Sequence, residues 1–343
     1  MVYYFYKCYI DAFIRTVLKE ALIMGTYVAE YYGQRTDIDT PVIAPINIPG
    51  KKPGTTSINW TPTNPCPVCP FTSGNVCKKL KSGNEPVCSV RKSDGTLWIN
   101  CSERLCSTKK GLPLCDHQKN ILLQTGQHIF SPTVTLDDIC VKREVRLCVY
   151  EGTNYNADYI ITVRGGRSNF SGPDRLVVEM QGGGETTNTG VQTQHIKNWK
   201  RVTAYSNALL RGETNASTLE TNAWRRQQEQ FIVKGNIAMK TWKGYGIAFC
   251  VGTLLYHYLI GKLASANFPD LHNYNWTLAL IAFKEDDSAP IVPGPIPLVV
   301  DESRLLYTNY QTFVQALINQ GEPTLDAFRG DFVTLNNTLI TIP

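Results

Sequence analysis

Two groups of residues in this chain have types and spacings that can do chemistry. The first lies in residues 157–181, ADYIITVRGGRSNFSGPDRLVVEMQ. Side chains alternate between the faces of a strand, so Leu176, Val178 and Met180 share one face and Val177, Glu179 and Gln181 the other. A glutamate and a glutamine together at the end of an apolar strand are costly to bury unless partnered. A hard cation such as Mg2+, held by carboxylate and carbonyl oxygens, is one such partner. The bland alternative is an acidic, solvent-facing strand edge. Asp158 and Asp174 are candidates for the second carboxylate. Asp174 lies in the same extended run as Glu179, roughly 16 Å away at about 3.3 Å per residue, too far for one ion to bridge. Asp158 opens DYIITV, and a hairpin through RGGRSNFSGPD brings it beside Glu179. Asp158 is therefore preferred, and Asp174 reads as a turn residue.

The second group is a run of thiols. Of eleven cysteines, Cys66, Cys69, Cys77, Cys88, Cys101, Cys106 and Cys115 fall within residues 66–115. An odd total argues against a fully paired disulfide framework, and local clustering in a large chain reads as a metal site. Four thiolates around one ion form a closed structural centre that suits zinc or iron equally. Cys66 with Cys69 makes a CxxC pair; the alternative quartet is Cys69, Cys77, Cys88 and Cys101. The bland reading is reduced thiols in a lysine-rich loop. Gly182, Gly183 and Gly184 follow Gln181 and let backbone approach closely, but no phosphate-loop pattern follows them. His195 and Lys197 come next and read either as phosphate contacts or as a solvated helix.

Elements must carry these groups. Residues 1–35 read as helical, ending near Gly33, and residues 36–65 as a Pro/Thr/Asn/Gly-rich linker. VKREVRLCVYEG reads as a strand or a helix end. DYIITV, RLVVEMQ, GIAFCVG and TLALIAFKED read as strands. TLETNAWRRQQEQFIVKGNIAMKTW reads as a long helix opened by Thr218 or Thr221, and ESRLLYTNYQTFVQALINQG as another. Residues 244–261 carry no Asp, Glu, Lys or Arg; they read as a buried strand and a core helix before a membrane span. The chain has 343 residues, 43% of them hydrophobic and 18% charged, which excludes a largely disordered protein. The expected organisation is a helical region and linker over 1–65, a cysteine-rich module over 66–115 and an α/β core over 116–343. Lys plus Arg total 34 and Asp plus Glu 29, and the net charge of +5 permits a polyanion partner without requiring one.

Several of these stretches together resemble the NotI-like type II restriction endonucleases of the PD-(D/E)XK nuclease superfamily. They are VAEYYGQR (28–35), CPF (69–71), VC (87–88), Trp98 with Cys101, DYIITV with VVEMQ, and NAWRRQQEQF followed by GIAF. The similarity is collinear over about residues 28–285, and its specific part is the order of cysteines, then Asp, then Glu-x-Gln. Cys66, Cys106, Cys115 and the triple glycine depart from the pattern. The resemblance implies an α/β (α+β) fold: a mixed central sheet flanked by helices, with an inserted four-cysteine module. It implies Cys69, Cys77, Cys88 and Cys101 as ligands of iron, with zinc as the fallback. It implies Mg2+ held by Asp158, Glu179 and the Met180 carbonyl, with Gln181 orienting water or phosphate. Sequence-specific cleavage of palindromic duplex DNA, leaving 5′-phosphate and 3′-hydroxyl ends, would follow. So would a homodimer, a prokaryotic cytoplasmic setting and a cognate DNA methyltransferase as counterpart. Arg225 and Arg226 are candidate base readers. Lys78, Lys79, Lys81, Arg91, Lys109 and Lys110 are candidate phosphate contacts. The competing expectations are a non-catalytic DNA-binding protein built on the cysteine module, and a non-specific or repair nuclease of the same fold.

Overall fold

A computed structural model describes residues 25–48, 63, 65–110, 113–148, 154–166, 172–184, 186–241, 245–263, 266–319 and 328–342. Its centre is a six-stranded mixed sheet in the order β10-β9-β8-β7-β6-β5. The strands are β5 (Ile139–Cys148), β6 (Asn154–Val163), β7 (Arg175–Gln181), β8 (Gly246–Gly252), β9 (Leu278–Glu285) and β10 (Leu298–Thr308). The neighbours β7, β8 and β9 run parallel, while β5–β6, β6–β7 and β9–β10 are antiparallel. A second sheet, in the order β2-β1-β3-β4, is made of β1 (Thr26–Tyr31), β2 (Gln34–Arg35), β3 (Val87–Lys92) and β4 (Leu97–Ile99). The helices are α1 (Lys78–Lys81), α2 (Ser102–Cys106), α3 (Asp116–Ile129), α4 (Thr189–Trp199), α5 (Asn207–Leu210), α6 (Glu220–Lys240), α7 (Thr253–Lys262) and α8 (Tyr310–Ile318). A C-terminal hairpin, β11 (Gly330–Val333) and β12 (Leu339–Ile342), lies largely exposed.

The alternation expected for RLVVEMQ separates two cores. Val177 joins Trp224 and Phe231 of α6 and Phe313 of α8; Leu176, Val178 and Met180 join Ile121, Leu122 and Ile129 of α3. Helices cover both faces, as the parallel centre of the sheet requires. Gly246–Gly252 form a strand and Thr253–Lys262 a helix, and among the described residues no helix is long and apolar enough to cross a membrane.

Two sequence expectations are corrected. VAEYYGQR is not a helix end but the β1–β2 hairpin, with Glu30 opposite Arg35 and positive φ at Tyr32 and Gly33. Residues 1–24 lie outside the described residues. ESRLLYT continues β10, with an irregularity between Val300 and Leu305, and the helix begins only at Tyr310. Apolar residues at Leu306, Tyr310, Phe313 and Leu317 mimic helical spacing, and pairing with β9 overrides it.

Strand β1 belongs to the first expected region and β3 to the second, so the linker boundary near residue 65 is bridged by a shared sheet. A buried ion pair fastens that sheet to helix α2 and to the segment that leads into β10. Glu30 and Arg104 of α2 are both fully buried, with Arg104 Nε 2.7 Å and Nη2 2.9 Å from the carboxylate. Ser89 Oγ and the Ile296 amide also donate to Glu30, at 2.5 and 2.8 Å. Burial alone would raise the Glu30 carboxyl. The Arg104 charge and these hydrogen bonds overcome it and hold the group below its ordinary 4.5. Removing one partner strands a buried charge, so Glu30→Ala is expected to cost about 3–5 kcal/mol in chemical denaturation. A folded-state pKa below the unfolded one gives stability that is present above the unfolded value and lost as pH falls. The wild-type advantage over Glu30→Gln should therefore shrink when melting is followed from neutral pH down through the carboxylate range.

Candidate active site and cysteine cluster

The register of β6 against β7 places Tyr159 opposite Val178, which sets Asp158 beside Glu179 as the hairpin argument expects. The Met180 amide donates to Asp158 Oδ2 at 2.8 Å, and the Asp158 amide lies 3.4 Å from Glu179 Oε1. Asp174 sits exposed at the start of β7. Glu179 is 2% exposed, while Asp158, in the middle of β6, and Gln181, at the carboxyl end of β7, are half-buried. Ligand sites in open α/β sheets gather at this end. Burial, then the neighbouring Asp158 charge, push the Glu179 carboxyl up to about 8 against the pull of Lys234. Burial likewise raises Asp158, against the Met180 amide and Lys234. Two adjacent carboxyls, both raised by burial and Glu179 also by the Asp158 charge, form a site that a divalent cation would relieve. On that ground the residues fit Mg2+.

Lys234 also belongs to this cluster and was not expected from the sequence. Its Nζ lies 2.6 Å from Glu179 Oε2, and the residue is 1% exposed. Seven residues earlier on α6, two helical turns along the same face, Gln227 donates to Gln181 Oε1 at 3.0 Å. The Gln181 amide nitrogen donates to the Gly183 carbonyl. Thus Glu-x-Gln on the strand is matched by Gln-x6-Lys on the helix. A lysine at a core position of an amphipathic helix, between Phe231 and Ala238, was the available signal.

The glycine run has a packing role. A Cβ on Gly182 would fall 2.6 Å from Ile99, and one on Gly183 would fall 2.6 Å from the Ile99 carbonyl oxygen. Trp98 Nε1 donates to the Gly184 carbonyl at 2.8 Å. Strand β4 of the small sheet therefore seats directly on the backbone that follows Gln181. Between the two sheets lies a cleft of about 330 Å³ lined by Lys78, Lys79, Asn100, Gln181, Arg226 and Gln227.

Of the proposed basic contacts, Lys78, Lys79 and Arg226 share this cleft with Gln181. Arg225 is exposed on α6 and does not line the cleft. Arg91 is drawn away into ion pairs with Glu285 and Asp37. Lys81, Lys109 and Lys110 are exposed. His195 bonds the Leu210 carbonyl at 2.9 Å, a link between α4 and α5, and Lys197 is exposed.

Cys69, Cys77 and Cys88 gather with Cys66 around Phe71 and Leu80, and Cys101 adjoins them as the residue that opens α2. All five are buried and none is in a disulfide. Burial raises each thiol, Cys69 to about 12 and Cys88 well above its ordinary 9.0. Cys106 faces Tyr159 at 3.4 Å and Cys115 the Phe71 carbonyl at 3.6 Å. Among the described residues no three His, Cys, Asp or Glu side chains converge into a ready-made ion cage. The five thiols fit a soft ion by donor type and burial, and an ion would have to draw four of them inward and deprotonate them. Cys66 belongs with the quartet on this geometry.

No protein-family model matches the chain, and no curated protein matches it.

Gly183→Val is expected to destabilise the protein by about 1–3 kcal/mol, because backbone rather than a movable side chain meets the new atoms. Gly190, with nothing within 4 Å of an added Cβ, is the control. Gly190→Ala in helix α4 should be neutral or stabilising by up to about 1 kcal/mol. Thermal melting of the two variants separates a packing role from mere turn flexibility.

Proposed function

We propose that the protein is a Mg2+-dependent endonuclease acting on duplex DNA, with Asp158, Glu179 and Gln181 at its centre. The observation that carries this reading is the pair Asp158 and Glu179, set side by side by the β6–β7 register, with Gln181 two residues on lining a cleft that Lys78, Lys79 and Arg226 also line. The α/β core would then be a PD-(D/E)XK-type nuclease fold carrying a four-cysteine module. Asp158 and Glu179 would hold Mg2+, with the Met180 carbonyl nearby. A bound Mg2+ would supply activation of water and neutralisation of charge on the scissile phosphate. Lys78, Lys79 and Arg226 would hold the DNA backbone in the cleft. Gln181 cannot take up a proton near neutral pH, so it orients rather than acting as general base. Its amide, fixed by Gln227, is preset for that task. In-line attack would leave 5′-phosphate and 3′-hydroxyl ends. Two chains related by a two-fold axis would read the halves of a palindrome. The cysteine cluster, holding iron or zinc, would be structural and fix the cleft wall that bears Lys78 and Lys79.

The test is a digest of unmodified duplex DNA with Mg2+ and, separately, with EDTA. Discrete fragments only with Mg2+ are expected; a smear would point to a non-specific nuclease. No cleavage of DNA long enough to hold rare sites would move the reading to a DNA-binding protein. Glu179→Ala should abolish cleavage and leave binding in Ca2+ intact, and persistent cleavage would sink the assignment. Cys88→Ser should lower the iron or zinc content per chain, measured by elemental analysis. Unchanged content would remove Cys88 from the ligand set.

A further inference from the structure

We infer that Lys234 is a positioning residue that stands where a second cation would stand, so that the Asp158–Glu179 site takes a single divalent ion, bound by Glu179 through Oε1 alone. The inference rests on the nuclease reading and deepens it. Lys234 is 1% exposed, and its ammonium lies 2.6 Å from Glu179 Oε2. It cannot reach DNA without leaving the core, so it acts through Glu179. One oxygen of that carboxylate is consumed. The other, Oε1, faces the Asp158 backbone and is the one left on the Asp158 side for an ion. Charge points the same way. Once a bound ion has displaced their protons, the two carboxylates and the ammonium sum to a single negative charge, which favours one divalent ion over two, with Glu103 and Glu144 the further acidic groups that act on Asp158. The position is fixed from behind. Gly235 accepts the Tyr310 ring so closely that an added Cβ would fall 2.2 Å from it, and the Tyr310 hydroxyl donates to the Ile232 carbonyl. Helix α6 is therefore pressed by α8 at the turn that carries Lys234.

The experiment is a titration of the full-length protein with Mn2+, with bound ion counted by electron paramagnetic resonance. Only sites lost in Asp158→Asn are counted. Wild type should bind one Mn2+ per chain in that class. Lys234→Met, which keeps the apolar stem and removes the charge, should bind Mn2+ on the order of tenfold more tightly or admit a second ion. A merely structural lysine would leave both count and affinity unchanged in a folded variant, and that result overturns the inference. Two Mn2+ per wild-type chain would overturn it as well, whether or not the variant folds, and would leave the nuclease reading standing. No Mn2+ sensitive to Asp158→Asn would remove the nuclease reading and this inference with it.

Discussion

Two carboxylates buried side by side repel each other and lose their hydration, and the site of this protein is built around that conflict. Asp158 and Glu179 come together only because β6 and β7 pair in one register. A slip by one residue would turn Glu179 to the opposite face, into the apolar core of α3. The register is held by apolar residues on both faces of β7, so packing enforces an arrangement that electrostatics opposes. Relief comes from outside the sheet. Helix α6 lays Lys234 on Glu179 and Gln227 on Gln181, and α8 presses the helix into place.

The second sheet depends on a different device. Its buried Glu30–Arg104 pair is fully satisfied on the carboxylate side, by Arg104, Ser89 and the Ile296 amide. Such a pair gives little net stability over an apolar substitute, but its hydrogen bonds are met only when the four segments that supply it are arranged in this way. Glycine 182–184 completes the seat by letting β4 touch backbone. The cleft and its cations are the product of both contacts. Lys78 and Lys79 sit opposite Gln181 because the cysteine-bearing segment is clamped there.

The sequence by itself determined the local pattern. Alternation in RLVVEMQ predicted the two faces of β7, and the limit on strand reach predicted Asp158 over Asp174. Composition alone separated the buried strand and helix of residues 246–262 from a membrane span. These are nearest-neighbour matters, set by the two-residue period of a strand and the length of a chain segment. Where two periods competed, as in ESRLLYT, or where a short hairpin resembled a helix end, as in VAEYYGQR, the sequence misled. A partner strand decided each case: β2, reached through a tight turn, for VAEYYGQR, and the preceding strand β9 for ESRLLYT.

Only the tertiary structure decided who compensates Glu179. Lys234 is separated from it by two helices and their connecting loops, and its place between Phe231 and Ala238 marks it as inward-facing without naming the group it meets. It becomes part of the site because parallel pairing of β7 with β8 forces a crossover helix across the sheet face that bears Glu179. Tertiary structure likewise set Arg91 into ion pairs and turned Arg226, but not Arg225, into the cleft. Charge at a residue is written in the sequence; the low-dielectric surroundings and the opposing group that give it a role exist only once the chain has folded.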